Sequence, residues 1–584
     1  MIIALAQMHV TPMQIEKNLI KIKDLVVKAK EKKADIIAFP ELCIGGYLLG
    51  DHFIEDDFVE YLDSKNEELN DFARLQDISI IWGNLKIDKT EKGKDGRFKR
   101  YNSVFISDHG YLQSRNKQYL PTYRFFDDQR YFSTDDTLNV KTILLPYSNK
   151  IIGLEICEEL WNADKTDYGN IDITEELFKQ DPDFIINISA SPFSVNKGIA
   201  RDNRIQQSYK NFESYKKENK IYKDTCPFLY VNCVGTQNNG KSLVTFDGDS
   251  RAYTKKGKID VGLKPYVEDI LYFNYQEGIL ESIDGVPVIP KTPIEQKKEA
   301  IIEAFKDIDE WCGYHPKKII IGMSGGVDSS LSACLAVEAL GRKRVVGINL
   351  PSKYNSNTTK SISNRLAQDL GIEYKEISIT NPILALQEIN TEAIDNIHEE
   401  NLHARIRGLI LQTQAGLYDG VVICNSNKVE VFAGFSTYGS ADDIGAMAPI
   451  ADLLKTEIFE MARLYYYFPK ELLPDDNMNF EFAPSAELKV NQRDPFCWGL
   501  SDAIIDKICN YHRASRQDII DMYDNGTLAP KHTIEKYYIV KENFIEHLDW
   551  LLKLYRKSVF KRNQYPPIVV TSKSAFGADF REIL

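Results

Sequence analysis

Residues 320–334 read IIGMSGGVDSSLSAC, and the second half of the chain is read outward from them. KKIIIGM, with its three isoleucines, is a short buried strand, and VDSSLSACLAVEAL is a helix that Gly341 ends. KRVVGINLP is the next strand, so the segment is a βαβ unit of a parallel sheet. Gly325 and Gly326 stand where strand meets helix. Glycine lets backbone N–H groups turn towards a ligand, and a helix start adds unpaired donors and a positive dipole end. Ser324, Ser329 and Ser330 add hydroxyls, and Asp328 can hold a cation that offsets phosphate charge. The plain alternative is a tight turn with a serine cap. The strand–turn–helix setting favours a phosphate cradle, though not a Walker A loop, whose Lys-Ser/Thr ending is missing.

Upstream, EAIIEAFKDIDEWCGYH is an amphipathic helix, and 274–300, with three prolines, reads as a linker. Before it lies a strand-rich α/β region. MIIALAQM opens it, and Thr11-Pro12 reads as the start of a helix with Ile15, Leu19, Ile22, Val26 and Ala29 on one face. ADIIAFPE, ISIIWGNLKI, YNSVFISD, KTILLP, KIIGLEIC, DFIINISA, FLYVNCV and SLVTFDG follow as strands. Domains are expected at 1–275 and 299–584, with the linker at 276–298.

At 584 residues the chain is too long for one core. A net charge of −13 argues against a nucleic-acid partner but leaves small phosphorylated substrates open. Nine scattered cysteines fit a reducing compartment. CPFLYVNC and Cys509/His512 lack a second ligand pair, so no zinc site is expected. No secretory leader and no membrane span are read, so a cytoplasmic protein is expected.

A second chemistry stands at 153–161, GLEICEELW, where Cys157 lies between acids at a strand end. A cysteine nucleophile needs a base and a group that steadies an oxyanion. AFPEL places Glu41 at another strand end. NKQYLPTYRFFDDQRYF places Lys117 in an unusually apolar setting. A Glu can take the thiol proton and a Lys can steady the negative charge. Taken singly, a buried cysteine, or an acid after proline, is ordinary.

Together, FPEL, KxxLPxY and GxxICEExW resemble the nitrilase-like amidases, with their Glu–Lys–Cys triad, and most closely their glutaminase domains in glutamine-dependent NAD synthetases. NISASPFSVNKG (187–198) and YVNCVG…FDGDS (230–250) are similar to the same domains. The resemblance implies an αββα sandwich, Glu41 as base, Lys117 as oxyanion partner and Cys157 as nucleophile. It puts Tyr123, Glu158, Ser191 and Lys197 around glutamine, with Ser191 and Lys197 on its α-carboxylate.

SGGVDS resembles the pyrophosphate loop of the N-type ATP pyrophosphatases, which implies a doubly wound parallel sheet of the adenine nucleotide alpha hydrolase-like kind. It implies ATP contacts at Gly322, Ser324, Gly325, Gly326, Val327, Asp328, Ser329 and Ser330. An amidase joined to an adenylating domain is an amidotransferase. ENLHARIRGLILQTQA, NSNKVEVFAGFSTYG, PSAELKVNQRDP and FKRNQYPP resemble NAD synthetase segments and imply that the acceptor is nicotinate adenine dinucleotide. On that resemblance Asp328 and Glu430 are Mg²⁺ ligands. Asn401, Arg405, Glu430, Lys489, Asp494 and Lys561, with Arg562, hold the dinucleotide or its phosphates.

The family's Gly and Ser in the GNKSE region are Ser426 and Val429 here, and its Y-G-D acid is either Asp442 or Asp443. An amidotransferase for another carboxylate, or a silent sensor of NAD metabolites, are the alternatives. Two active sites on separate domains lead us to expect a shielded ammonia tunnel and a homo-oligomer.

Overall fold

A computed structural model describes the chain except residues 94–95, 223, 354, 390–395, 483–493, 511, 539, 578–579 and 581–584. Two compact units emerge, Met1–Asn239 with Val244–Lys291, and Gly240–Leu243 with Thr292–Leu584.

The first unit is built on two facing sheets. One sets Ile2–Gln7 between Asp269–Gln276 and Ile36–Ala38, then continues through Ser79–Lys92, Phe98–Asp108 and Tyr111–Asn116. The other carries Phe228–Asn232, Phe184–Ser189 and Lys150–Ile156 as parallel neighbours. The side-chain period of two explains the layering. Phe184, Ile186 and Ile188 meet Ile3, Leu5, Ile36 and Ile81 of the facing sheet. Ile185, between them, packs outward on Leu177, Ile205 and Tyr209 of the helices Ile173–Lys179 and Lys197–Asn219. The helix Asp56–Gln76 packs on Ser79–Lys92 and Phe98–Asp108, with Ile15–Glu31 beside it. The result is an αββα sandwich.

The helix expected from Thr11-Pro12 starts at Ile15 instead. Met13 takes φ +64°, which breaks the helical path. Asn18 ties the turn together: its Oδ1 accepts the Thr11 N–H at 3.0 Å and its Nδ2 donates to the Thr11 carbonyl at 2.7 Å. Thr292-Pro293 does start a helix, Pro293–Lys306, because Thr292 and Glu295 close a capping box around it. That helix begins inside the segment read as linker. The strand Ile279–Ser282 also lies there, paired with Asp269–Gln276 across a turn at Glu277-Gly278, both at positive φ.

The second unit holds four parallel strands in the order Glu373–Glu376, Val345–Asn349, Lys318–Gly322, Gly420–Ile423. The centre of Lys318–Gly322, Ile319 to Ile321, is apolar because both its faces are covered. Ile319 and Ile321 pack with Leu331 and Ile301 of the helices Val327–Leu340 and Pro293–Lys306. Ile320 packs on Leu411 and Ala415 of Asn396–Leu417. The chain leaves Lys318–Gly322 for Val345–Asn349 on one side, and Gly420–Ile423 is added on the other. This opens a crevice at the carboxyl ends, where doubly wound sheets bind ligands. Helices Leu500–Cys509 and Lys541–Lys557 enclose a further core around Phe432, Ile504 and Leu548. Ser242 and Leu243 belong to this unit because they pair in parallel with Ile568 and Val569. No described helix is long and apolar enough to cross a membrane.

Candidate active sites

In the first unit, Phe39-Pro40 ends a strand and turns Glu41 into the interior. Its carboxylate accepts from Asn102 Nδ2 and Lys117 Nζ, both 2.7 Å from Oε1, and from the Ala190 N–H, 2.8 Å from Oε2. Gly83 makes room for this turn, since a Cβ there would meet Glu41 Cα at 2.4 Å. Lys117, wholly buried, also donates to Asp128 Oδ2 at 3.0 Å, and Asp128 Oδ1 accepts the Tyr47 hydroxyl at 2.7 Å. Burial alone would discharge this lysine. The Asp128 and Glu41 carboxylates outweigh it and hold the ammonium well above its ordinary pKa.

Cys157 follows the strand Lys150–Ile156 and takes φ +42°, a left-handed conformation that costs a non-glycine residue about 1–3 kcal/mol. Glu159 fixes this elbow. It accepts the Ile156 N–H at 2.8 Å, the Gln118 N–H at 2.7 Å and both Arg115 terminal nitrogens at 2.7 and 3.1 Å. One carboxylate thus binds the cysteine turn to the segment that carries Lys117. Burial and then the Glu41 charge push the thiol above its usual pKa, so the resting group is protonated and needs a base.

Beside it, Glu158 accepts from Tyr123 at 3.0 Å and from Tyr168 at 3.1 Å, and burial raises it to about 7. The Ser191 N–H donates to Asn232 Oδ1 at 2.8 Å, which places that serine at the end of Phe184–Ser189. Lys197 donates to the Pro192 carbonyl at 2.8 Å, and its ammonium lies 5.5 Å from the Trp161 ring centre. Burial lowers Lys197 to about 8.

The second unit has a cavity of about 440 Å³ at the carboxyl ends of its strands. Gly322 and the turn from Ser324 to Ser329 line it, with Asn401, Glu430, Asp494 and Lys561. Only glycine fits at position 325: φ is +87° and a Cβ would lie 2.1 Å from the Thr359 carbonyl oxygen. The Gly326 N–H donates to Ser324 Oγ at 3.2 Å. Asp328 accepts from Lys455 Nζ at 2.5 Å and Asn427 Nδ2 at 3.1 Å. Burial and the Asp328 charge push Glu430 well above the carboxylate range, and burial raises Asp494 to about 6. Lys561 donates to the Gly434 and Ser436 carbonyls.

Three expected contacts fall elsewhere. Arg405 is exposed, with its Nε on the Tyr438 carbonyl at 3.1 Å. On a helix turning 100° per residue, Asn401, Ala404, Arg407 and Leu411 face the cavity, and Arg405 and Leu409 face away. Ser330 is buried under the loop, its hydroxyl without a hydrogen-bond partner among the described residues. Arg562 is buried behind the cavity wall and donates to the Phe432 and Tyr555 carbonyls. Lys489 lies outside the described residues. Of the two acids left open in YGSADD, Asp442 lines the cavity, whereas Asp443 accepts the Gly439 N–H at 3.1 Å. Asp128, Glu159, Tyr168, Arg407 and Lys455 were not read from the sequence.

Residues 2–168 match the carbon-nitrogen hydrolase family and residues 303–542 match NAD synthase. The glutamine-dependent NAD(+) synthetase of Synechocystis is 32% identical over 99% of this chain and 97% of its own. That of Aquifex aeolicus is 28% identical over 99% and 98%. In fold, the chain is similar to the glutamine-dependent NAD(+) synthetase of Cytophaga hutchinsonii. The TM-score is 0.73 at 19% identity, with 99% of this chain and 96% of that one covered. It is also similar to the enzyme of Acinetobacter baumannii solved with ADP, with a TM-score of 0.69 at 23% identity and coverage of 99% and 97%. The chain belongs to the glutamine-dependent NAD(+) synthetase family: it is a carbon–nitrogen ligase that forms NAD⁺ with glutamine as nitrogen donor.

Proposed function

We propose that Cys157 Sγ attacks the γ-carboxamide carbon of glutamine while Glu41 takes the thiol proton. Glu41 returns the proton to the departing nitrogen, and ammonia leaves a thioester. Glu41 then deprotonates water, which hydrolyses the thioester to glutamate. The Lys117 ammonium stabilises the negative charge on the carbonyl oxygen in each tetrahedral state. Glu158 and Tyr123 receive the α-ammonium of glutamine, and Ser191 and Lys197 its α-carboxylate. The observation that carries this reading is a wholly buried Lys117 shared by Glu41 and Asp128, with the charges of Lys117 and Glu41 acting on the Cys157 thiol.

In the second unit, the Ser324–Ser329 turn and the start of Val327–Leu340 hold the pyrophosphate part of ATP. Asn401, Asp494, Lys561 and Lys489 hold nicotinate adenine dinucleotide. Its carboxylate is adenylated with loss of pyrophosphate, and ammonia displaces AMP. The residues fit Mg²⁺: Asp328 and Glu430 are hard oxygen donors, and burial with the Asp328 charge pushes Glu430 towards protonation, which a bound cation would offset. Mg²⁺ there would offset phosphate charge.

The same proposal includes a homo-oligomer, supported by the exposed Leu409 and Leu417 of Asn396–Leu417, 64% and 75% accessible. It also includes a reducing, cytoplasmic location, supported by nine free thiols.

The test is product analysis with Mg-ATP, glutamine and nicotinate adenine dinucleotide. The native chain should make NAD⁺, AMP, pyrophosphate and glutamate. Cys157→Ala should make NAD⁺ only from ammonium salt, with glutamine-driven synthesis down by about 10⁴-fold. Glutamine-driven synthesis by the variant at the native rate would remove Cys157 from the mechanism.

A further inference from the structure

Glu158 is buried, yet among the described residues no cation lies within ion-pair distance of it. Two neutral phenols are its partners, Tyr123 and Tyr168. A buried carboxylate normally stands opposite a cation, so this one is set up for a cation that arrives with the ligand. The charged and titratable groups that face it are Lys117, Lys197, the two tyrosines and the Cys157 thiol. Lys117 is committed to Glu41 and Asp128, and Lys197 to the Pro192 carbonyl.

Tyr168 is held in place with unusual completeness. Its ring stacks on Tyr119 with centroids 4.6 Å apart and planes 9° from parallel, and the Tyr119 hydroxyl donates to the Ile171 carbonyl at 2.9 Å. Asn162 spends its whole amide on the loop that carries Tyr168. Its Oδ1 accepts the Asp167 and Tyr168 N–H groups, both at 3.1 Å, and its Nδ2 donates to the Gly169 and Ile171 carbonyls at 3.0 and 2.7 Å. The loop therefore presents one hydroxyl to Glu158 Oε1 at 3.1 Å, while the Tyr123 hydroxyl reaches both carboxylate oxygens, at 3.3 and 3.0 Å.

We propose that Tyr168 is a positioning residue for glutamine recognition: its hydroxyl holds Glu158 aimed and ionised to receive the substrate's α-ammonium. The proposal rests on the reading of Glu158 as the α-ammonium partner. A donor to a carboxylate favours the charged form, and burial works against that form here, raising Glu158 to about 7. Removal of one donor moves the carboxyl further towards protonation at neutral pH.

The experiment measures ammonia release by the full chain, by Tyr168→Phe and by Glu158→Gln. Two substrates are compared: glutamine and glutaramate, which has the same amide and carboxylate but no α-amino group. Phenylalanine keeps the ring that stacks on Tyr119, so the loop stays packed. Tyr168→Phe should raise the glutamine KM about tenfold with kcat within about twofold. Its KM for glutaramate should stay at the native value, and the acid limb of kcat/KM on glutamine should move to higher pH. An equal loss on both substrates would make Tyr168 merely structural and overturn the proposal. So would an unchanged glutamine KM in Tyr168→Phe beside a raised one in Glu158→Gln. If Glu158→Gln leaves the preference for glutamine over glutaramate intact, the reading of Glu158 itself falls, and the proposal with it.

Discussion

Cys157 and Gly325 both sit where a strand breaks into a helical turn, and both have positive φ. One carries a side chain in a conformation that disfavours side chains; the other carries none and has no room for any. Chemistry explains the difference. On the mechanism proposed above, the first turn presents a nucleophile, so strain is accepted and Glu159 holds it in place. On the same proposal, the second presents bare N–H groups to phosphate. The surrounding charge differs in the same sense. Around Cys157 a lysine is shared by two carboxylates, whereas around Asp328 three further carboxylates, Glu430, Asp442 and Asp494, gather with the single Lys455.

The sharpest way to break this comparison is at the glycines. Gly325→Ala drives a Cβ into the Thr359 carbonyl, so it should cost about 3 kcal/mol of stability and abolish NAD⁺ formation from ammonium. Ammonia release from glutamine should persist. Gly326 has φ −86° and a Cβ there would meet only Ser324 Oγ at 3.4 Å, so Gly326→Ala should stay within about 1 kcal/mol of native. Thermal unfolding of the two variants compares them directly; equal losses would show that the turn does not depend on its first glycine alone.

A smaller effect is expected at Asp128. Asp128→Asn removes one of the two charges that keep Lys117 protonated, and glutaminase kcat should fall about 10²-fold while ammonium-driven synthesis holds. An unchanged kcat would mean that Glu41 alone suffices.

The smallest effect is a pH dependence. Burial raises Glu158 to about 7, so its carboxylate is lost as pH falls below that. Burial lowers Lys197 to about 8, so its charge is lost as pH rises above that. The glutamine KM should therefore be lowest between about 7 and 8 and rise on both sides. The KM for ammonium in NAD⁺ formation should not follow this profile. A flat glutamine KM from 6 to 9 would separate these two groups from substrate binding.

Much of both sites is legible in the sequence because the critical residues sit in rigid local patterns. SGGVDS needs only its flanking strand and helix, and FPEL and GLEIC end strands. The contributors that escaped are defined by tertiary neighbours. Asp128 lies beside Asp127, and only the fold shows which one meets Lys117. Lys455 follows Leu453-Leu454 much as Lys117 precedes an apolar stretch; a lysine among buried residues was the available signal. Arg405 and Arg407 differ by helix phase, which the start of Asn396–Leu417 fixes and the motif alone does not. The two Thr-Pro pairs separate on whether the next residues follow a helical path, as Pro293 does and Met13 does not.

The hydrogen bond from the Ala190 N–H to Glu41 has a consequence for synthesis on the ribosome. Its partners are 149 residues apart in the chain. At about 5–20 residues per second, roughly 7–30 seconds separate their emergence. Any nascent chain shorter than that holds Glu41, and later Lys117 and Cys157, without the backbone that completes the carboxylate's surroundings. Completion of the Glu41 surroundings is thus a late event in the synthesis of the first unit.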